Sequence, residues 1–332
     1  MKHTIKKPIM KLRSLSLQAA LAMAFATGGA VLPQAVQAAA PMVKTQAPGF
    51  YRMMLGAFEI TALSDGTVDL PAEALLHSHT GDIGSHLRAN HLSSPVETSI
   101  NAYLVNTGDK LVLIDTGTGG LMGPALGQLA ANLRAAGYLP EQVDEILLTH
   151  AHPDHLGGLM VQGKMAFANA TIRMEQAEMS YWMSPERMGK ADDMARGFFE
   201  GAITSLTPYA QAGKVVPFRA GAQLLPGISA LTAHGHTVGH TVYSVESQGQ
   251  RLLLIGDLIH VGAVQLQHPE VTIAFDMDEK EAAATRLKFF GDAARDHVLI
   301  GASHLSFPGV GRLVKTGTSF RWEPVSYSTQ FK

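Results

Sequence analysis

The chain has 332 residues, of which 46% are hydrophobic, and its formal net charge is −2. This length and apolar content allow a sizeable core in one or two domains, and the small net charge gives no indication of a nucleic-acid partner or an anionic membrane surface. The sequence contains no cysteine, which excludes disulfides, thiolate metal ligands and a cysteine nucleophile.

The N-terminal residues have the composition of an export signal. Five lysines and arginines precede an apolar, alanine-rich run over residues 15–32, and small residues follow at Ala38 and Ala40. This order predicts a cleaved secretory signal over residues 1–38, with Ala40 as a second cleavage point. A membrane anchor is the alternative, but the run is short and is interrupted by glycine. We therefore expect a periplasmic or secreted protein with no membrane association after cleavage.

The first part of the mature chain predicts strands separated by loops. Residues 39–57 predict an irregular lead-in to a catalytic domain over 58–332, and residues 58–63 predict a strand followed by a turn at 64–67. A long loop with one helix is expected over 70–92. It carries histidines without tight spacing, which we interpret as a solvated loop or a pocket edge rather than a metal site: His77, His79, His86 and His91.

The next segments alternate strands with helices. Residues 100–105 and 111–114 predict a hairpin whose second strand ends in Asp115. Apolar residues then recur at helical spacing up to Gly137: Met122, Leu126, Leu129 and Leu133. Predicted strands follow at 145–148 and 171–174, and an aromatic-rich helical insertion is expected over 176–206. This alternation indicates a layered α/β fold.

Residues 149–158 concentrate potential metal ligands in one loop. His150, His152, Asp154 and His155 directly follow an apolar predicted strand. On an extended segment the first two histidines point the same way, while the aspartate and the third histidine occupy the following turn. Imidazole and carboxylate groups suit zinc and its first-row neighbours, so the loop predicts ligands for two adjacent metals. A histidine-rich surface loop is the alternative.

Three further predicted strand ends carry candidate ligands. A strand over 228–232 leads to three histidines, a hairpin over 241–246 and 251–255 leads to an aspartate, and a strand over 298–302 leads to a histidine: His234, His236, His240, Asp257 and His304. A rigid sheet presents ligands at such positions with little entropic cost. Between them, Asp278 is expected to cap a helix from Glu279 to about Ala294, with Leu287 and Phe290 facing inward.

These motifs together resemble the metallo-β-lactamase superfamily. The order His-x-His-x-Asp-His, Gly-His-Thr-x-Gly-His, Gly-Asp and a late Ser-His extends over nearly the whole mature chain. More narrowly, residues 232–237, 256–258 and 303–309 resemble the methyl parathion hydrolase branch. The resemblance implies a four-layer αββα sandwich and a secreted, often dimeric hydrolase with two divalent metal ions, usually Zn²⁺.

The resemblance also implies a role for each ligand. His150, His152 and His236 would hold the first metal, Asp154, His155 and His304 the second, and Asp257 both. Asp115 and His240 would orient ligands, and His234 would be structural. Cysteine-containing β-lactamases have a cysteine ligand where this chain has Asp257, which argues against antibiotic hydrolysis.

The expected mechanism follows from the two cations. Metal ions on the order of 3.5–4 Å apart can hold a bridging water as hydroxide near neutral pH. That hydroxide would attack an acyl carbon or a phosphorus, with Asp154 or Asp257 steering it or carrying a proton. This chemistry needs no Ser-His-Asp triad, and no Gly-x-Ser-x-Gly motif is found.

The pocket walls implied by the resemblance are apolar and aromatic, which suits a small neutral aryl ester, lactone or phosphotriester. They are Leu70, Leu75, Met122, Trp182, Phe198, His260, Ile273 and Phe275. Because His260 and Phe275 differ from the residues expected in phosphotriesterases of the branch, we predict a lactone or aryl ester hydrolase with weak phosphotriesterase activity. The insertion aromatics could instead be ordinary core, and His260 a buried histidine without substrate contact.

Several other functions stay open at this point. They are an organophosphate triester hydrolase as the main activity, a thioester hydrolase, a mononuclear iron dioxygenase and a non-catalytic metal-binding protein. Imidazole and carboxylate sets also accept manganese, iron or cobalt, so the sequence does not fix the metal.

Overall fold

The computed structural model describes residues 40–79 and 81–331, and most of its strands belong to two large sheets. The strands are β1 (Phe50–Leu55), β2 (Phe58–Leu70), β3 (Leu76–His77), β4 (Val96–Asn106), β5 (Leu111–Ile114), β6 (Glu145–Leu147), β7 (Met160–Val161), β8 (Lys164–Met165), β9 (Thr171–Arg173), β10 (Gln223–Leu225), β11 (Ile228–Thr232), β12 (Thr241–Ser247), β13 (Gln250–Leu254), β14 (Thr272–Ile273), β15 (Leu299–Gly301), β16 (Val310–Thr316) and β17 (Ser319–Pro324).

Helices flank these sheets. They are α1 (Ala72–Leu75), α2 (Ile83–Ala89), α3 (Leu129–Ala135), α4 (Pro153–Leu156), α5 (Gln176–Trp182), α6 (Pro185–Met188), α7 (Asp193–Gln211), α8 (Gly262–Gln265) and α9 (Glu279–Arg295), with short 3-10 turns at Pro140–Gln142 and Gly157–Leu159. All of them belong to one compact unit, Gln46–Lys332. Within the described residues, no helix is both long and apolar enough to cross a membrane.

The order of the strands brings the ligand-bearing loops to one edge. The first sheet has the order β1-β2-β4-β5-β6-β9 and the second the order β10-β11-β12-β13-β15-β16-β17. Strands β5, β6 and β9 run parallel in the first sheet, as do β13 and β15 in the second. Carboxyl ends of parallel strands share an edge, and the segments after β6, β13 and β15 hold six of the seven predicted metal ligands. Asp115 follows β5, and the seventh predicted ligand, His236, follows β11.

Three apolar layers hold the elements together. The layer between the two sheets contains side chains of both, including Ile60 and Val112 from the first and Tyr243 and Leu252 from the second. A second layer packs α3, α5 and α7 against the first sheet, and a third packs α9 against the second. The protein is therefore the four-layer αββα sandwich that the sequence predicted.

The start of the domain differs from the prediction. Residues 50–55, expected to be irregular, form β1 and pair with β2 in an antiparallel register. They were missed because most of this edge strand is half-buried on both faces, which leaves no alternation of polar and apolar residues. The expected turn at 64–67 is a bulge inside β2, where Gly66 has a φ of 127° and the register shifts.

Two helix predictions also need correction. The helical spacing from Met122 was wrong as a helix start, since α3 begins only at Leu129. Gly123 and Gly127 have φ values of 95° and 79°, which an α-helix does not accommodate. In α9 the Asp278 carboxylate accepts a hydrogen bond from the backbone N–H of Glu281, as predicted, and Phe290 is buried, but Leu287 is 41% exposed.

Candidate metal centre

The loop after β6 turns sharply into α4. His152 is the residue before the helix, and Pro153 occupies its first position, where a fixed φ favours a helix start. Asp154 and His155 therefore lie in the first helical turn, while His150 stays on the extended segment. Behind the loop, the Asp115 carboxylate accepts hydrogen bonds from the backbone N–H and the hydroxyl of Thr149, both at 2.8 Å.

Seven side chains meet in two groups of potential metal ligands. The first group is His150, His152, His236 and Asp257, and the second is Asp154, His155, Asp257 and His304. The candidate ligand atoms within each group all lie within 4.8 Å of one another. Asp257 belongs to both groups: its Oδ1 lies 3.0 Å from His155 Nε2 and its Oδ2 lies 3.4 Å from His236 Nε2.

The chemistry of these atoms fits two metal ions. The Nε2 atoms of His150 and His155 and the Oδ1 atom of Asp257 are buried and make no hydrogen bond within the described structure. Leaving buried polar atoms without a hydrogen bond normally costs about 1–3 kcal/mol each. Lone pairs that converge in a buried space without hydrogen bonds are the arrangement that a bound cation would satisfy.

Several ligand histidines are held by their second ring nitrogen. His155 Nδ1 donates to the Asp115 carboxylate at 2.8 Å, and His304 Nδ1 donates to the Ser99 carbonyl at 3.0 Å. His236 Nδ1 donates to Asp276 Oδ1 at 2.8 Å. In the neutral imidazole, each of these contacts fixes the tautomer and leaves Nε2 with a lone pair directed to the site.

The two groups differ in how they take up protons. Burial and neighbouring imidazoles hold the pKa of His150 and of His152 well below its usual value. Burial also disfavours charge on His155 and His304, but nearby carboxylates outweigh it, so the pKa of His304 is raised and that of His155 is raised well above normal. His155 and His304 of the second group therefore take up protons more readily than His150 and His152 of the first.

His240 and His234 both lie outside the ligand groups. His240 Nδ1 donates to the Ala233 carbonyl at 3.1 Å, and its Nε2 accepts from the backbone N–H of Asp257 at 3.1 Å. Burial lowers the pKa of His240 to about 3, so it is neutral and supports the backbone that presents Asp257. His234 Nε2 contacts Glu175 Oε2 at 2.7 Å.

A cavity of about 630 Å³ opens onto the ligands, within the range of small-molecule sites. Five of the eight predicted wall residues line this cavity. Other lining residues were not predicted from the sequence; they lie on β2, on β4, in the segment before α3 and on α7. The predicted ones are Leu70, Met122, Phe198, His260 and Phe275, and the missed ones include Val68, Thr98, Leu121 and Met194.

The other three predicted wall residues do not line the cavity. Trp182 is 2% exposed and belongs to the core beneath the site, where its ring lies 5.4 Å from that of His152. Ile273 is fully buried in β14, and Leu75 packs into the same small cluster. Trp182 in α5, Ile273 in β14 and Leu75 in α1 therefore belong to the packing of the domain and not to the cavity lining.

Two carboxylates near the ligands were also missed. Asp276 orients His236 through its Oδ1, and its Oδ2 accepts from the backbone N–H of Ile273 at 3.1 Å. Glu178, on α5, is fully buried and accepts hydrogen bonds from the backbone N–H groups of Ala151 and Gly239. Neither lies in a recognisable motif, and only proximity in the fold reveals them.

Residues 95–301 match the sequence model of the metallo-beta-lactamase superfamily, which shows that the chain belongs to this family. A solved structure described as the hydrolase AbOPH in the beta lactamase superfamily is 35% identical; the match covers 86% of this chain and 100% of that chain, with a TM-score of 0.81. AidC, a dizinc quorum-quenching lactonase in complex with the product N-hexanoyl-L-homoserine, is 27% identical over 85% of this chain and 99% of that one, with a TM-score of 0.73.

A more distant structure shares the fold alone. A mutant of AiiA from B. thuringiensis, with N-decanoyl-L-homoserine bound at its active site, is 19% identical over 76% of this chain and 94% of that chain, with a TM-score of 0.55.

Proposed function

This chain belongs to the metallo-beta-lactamase superfamily, and we propose that it is a dinuclear metal-dependent hydrolase of lactones or aryl esters, with weak phosphotriesterase activity. Two groups of potential metal ligands border an apolar cavity. The main support for a neutral substrate is the composition of the cavity walls. Among the described residues that line the cavity there is no lysine or arginine, and Glu200 stands exposed at its edge. Such walls favour an uncharged substrate.

The metal ions are expected to be zinc, which suits a buried set of imidazoles and carboxylates. When bound, two such ions would polarise the scissile carbonyl and lower the pKa of a water molecule. His150, His152, His236 and Asp257 would hold one ion, and Asp154, His155, Asp257 and His304 the other. The similarity to AidC, a dizinc lactonase, supports this assignment.

The two predicted catalytic carboxylates take different roles. The side chain of Asp154 is 16% exposed, whereas that of Asp257 is only 3% exposed and contacts histidines of both groups. Asp257 therefore acts as the shared ligand. Asp154, which the substrate can reach from the cavity, would take the proton that the attacking water gives up and pass it to the leaving alkoxide or phenolate.

The shape of the cavity beside Asp257 favours a planar acyl group. His260 Nε2 lies 3.1 Å from Asp257 Oδ2, and its ring stacks on that of His304 with the centroids 5.0 Å apart. Phe275 packs 6.2 Å from the rings of both His260 and Phe198. These rings leave less room for the tetrahedral substituents of a phosphotriester than for a flat lactone or aryl ester.

A substrate panel on metal-replete protein tests the proposal. We expect dihydrocoumarin or phenyl acetate to be hydrolysed with a kcat/KM at least about tenfold above that for methyl parathion. A higher value for methyl parathion would make phosphotriester hydrolysis the main activity, and a higher value for a thioester would identify a thioesterase. Metal analysis that gave a single iron per chain would refute the dinuclear hydrolase.

We also propose that the protein is exported and forms a homodimer. The predicted leader lies outside the described residues, and its composition alone supports export. Mass spectrometry of the mature protein should give an N-terminus at residue 39 or 41. Light scattering measures the oligomer, and a monomer at micromolar concentration would refute the dimer.

A further inference from the structure

We propose that Glu178 is a positioning residue that joins the two loops of the first ligand group and sets the affinity of that group for metal. This inference rests on the proposed metal centre and goes beyond it. Glu178 lies on α5, at the start of the segment that sequence reasoning assigned to an insertion, and it touches none of the candidate metal ligands through its carboxylate.

The carboxylate of Glu178 connects two loops that are distant in the sequence. Its Oε1 accepts a hydrogen bond from the N–H of Ala151 at 2.9 Å, and its Oε2 accepts from the N–H of Gly239 at 2.8 Å. Ala151 stands between His150 and His152, and Gly239 lies three residues after His236. One side chain therefore holds the backbone on both sides of the first group.

The burial of Glu178 indicates that these contacts matter. The residue is 0% exposed. A charged carboxylate in such a place is costly unless it accepts strong hydrogen bonds, and bonds from backbone N–H groups to a carboxylate are among the stronger ones. The helix also approaches the loop closely, since a Cβ added at Gly239 would lie 2.7 Å from the Glu178 Cβ.

The second ligand group has different supports. His155 is held by Asp115, and His304 by the Ser99 carbonyl. The backbone of Asp257, which both groups share, is held by His240. Glu178 makes a hydrogen bond to none of these three supports, so its loss should weaken the first group and spare the second.

The Glu178→Gln variant tests this inference. The side chain keeps its shape, but its amide nitrogen faces one of the two N–H donors, so one loop loses its bond. Apparent dissociation constants for Co²⁺ are measured by dialysis and visible absorption in two backgrounds: His304→Ala, which disables the second group, and His152→Ala, which disables the first. We expect Glu178→Gln to raise the constant by about tenfold or more in the His304→Ala background. In the His152→Ala background it should change less than about twofold.

Glu175→Gln is the matched control. Glu175 is the residue that precedes α5, is 5% exposed, and contacts the side chain of His234 instead of a backbone N–H group beside a candidate ligand. It should change neither constant by more than about twofold. Equal losses in both backgrounds with Glu178→Gln, no loss in either, or the same pattern with Glu175→Gln would overturn the inference. A wild-type protein that binds no Co²⁺ would overturn the metal centre itself, which keeps the two failures distinct.

Gly239→Ala provides a second route if Glu178→Gln does not fold. It keeps the carboxylate but forces the loop away from α5, because the new methyl group would overlap Glu178. The same loss, confined to the His304→Ala background, is expected from this variant. Unchanged Co²⁺ affinity in that background would count against the positioning role.

Discussion

Replacing Asp115 by asparagine should disable the second ligand group without altering the loop. Asp115 Oδ1 accepts from the backbone N–H of Thr149, and Oδ2 accepts from the Thr149 hydroxyl and from His155 Nδ1, each at 2.8 Å. Asparagine tolerates the positive φ of 62° at this position nearly as well as aspartate. Its oxygen can still accept from Thr149, but its NH₂ group then faces His155 Nδ1.

The consequence for His155 is a change of tautomer. With a donor facing it, Nδ1 must accept, and the proton of the neutral ring moves to Nε2, the atom directed to Asp257 and the second ligand group. A protonated Nε2 cannot bind metal. Losing the hydrogen bond to a charged carboxylate costs about 1.5–3 kcal/mol, and loss of such an orienting partner typically weakens metal binding about 10–100-fold.

Metal analysis measures the weakened metal binding, and urea unfolding measures the loss of the hydrogen bond. After dialysis at a free Zn²⁺ concentration about ten times the wild-type dissociation constant, wild type should keep both ions, whereas Asp115→Asn should keep the first ion and lose about half or more of the second. Its metal-free form should lose about 1.5–3 kcal/mol in urea unfolding. Asp109→Asn, in the exposed hairpin before β5, is the control and should match wild type in both measurements. Full retention of both ions by Asp115→Asn would refute the tautomer argument.

Three further predictions concern the cavity and the protons. His260→Leu should raise the ratio of methyl parathion to dihydrocoumarin turnover about tenfold, because it removes a planar ring beside Asp257, and an unchanged ratio would make His260 a bystander. The kcat/KM for anionic 4-acetoxybenzoate should be lower than that for phenyl acetate. Glu200→Gln should reduce the ratio of these two kcat/KM values about fivefold, since a like charge at the cavity edge costs roughly 1 kcal/mol. An equal reduction by a distant exposed Glu→Gln variant would contradict this role of Glu200. On acidification from pH 7.5 the ion of the second group should leave first, because His155 and His304 have raised pKa values and their protons compete with the metal. The apparent metal affinity should fall by up to about tenfold per pH unit for each proton displaced. Dialysis at each pH and metal analysis measure this release, and simultaneous loss of both ions would be inconsistent with those pKa shifts.

The sequence has a clear pattern at the residues of the two candidate metal groups but none at the residues behind them. The spacing of His150, His152, Asp154 and His155 after an apolar strand is typical of a metal-binding loop, and the remaining ligands also follow predicted strands. Asp276 and Glu178 have no such signature. Each is an isolated acidic residue whose role depends on which backbone N–H or imidazole the fold brings to it.

The walls of the cavity were only partly predictable for a similar reason. Trp182 belongs to an aromatic helix near the metal loop, yet the side of that helix which carries it faces the core. The sequence contains the helical spacing but not the rotation of α5 against its neighbours. Leu287 was misjudged in the same way, since α9 buries Arg286 and Phe290 and leaves Leu287 in solvent.

The error in predicting a turn at residues 64–67 arose because these residues make tertiary contacts instead of forming a local turn. Residues 64–67 have the composition of a turn, but Asp65 is fully buried, and its carboxylate accepts backbone hydrogen bonds from Thr118, Gly127 and Leu129. The bulge in β2 directs Asp65 inward, and Asp65 holds the loop that carries the cavity residues Leu121 and Met122. A turn signal in this sequence thus marks a support for the cavity wall.

Each metal ion would bind both halves of the sandwich at once. The first sheet contributes His150 and His152 to one group and Asp154 and His155 to the other, while the second sheet and its loops contribute His236, His304 and the shared Asp257. The ions would then act as two cross-links that tie the sheets together in place of the disulfides that a cysteine-free chain cannot form. At a free metal concentration of 100 times the dissociation constant, each ion would add about 2.7 kcal/mol to the free energy of unfolding. The resistance of this protein to heat would accordingly depend on the metal content of the solution around it.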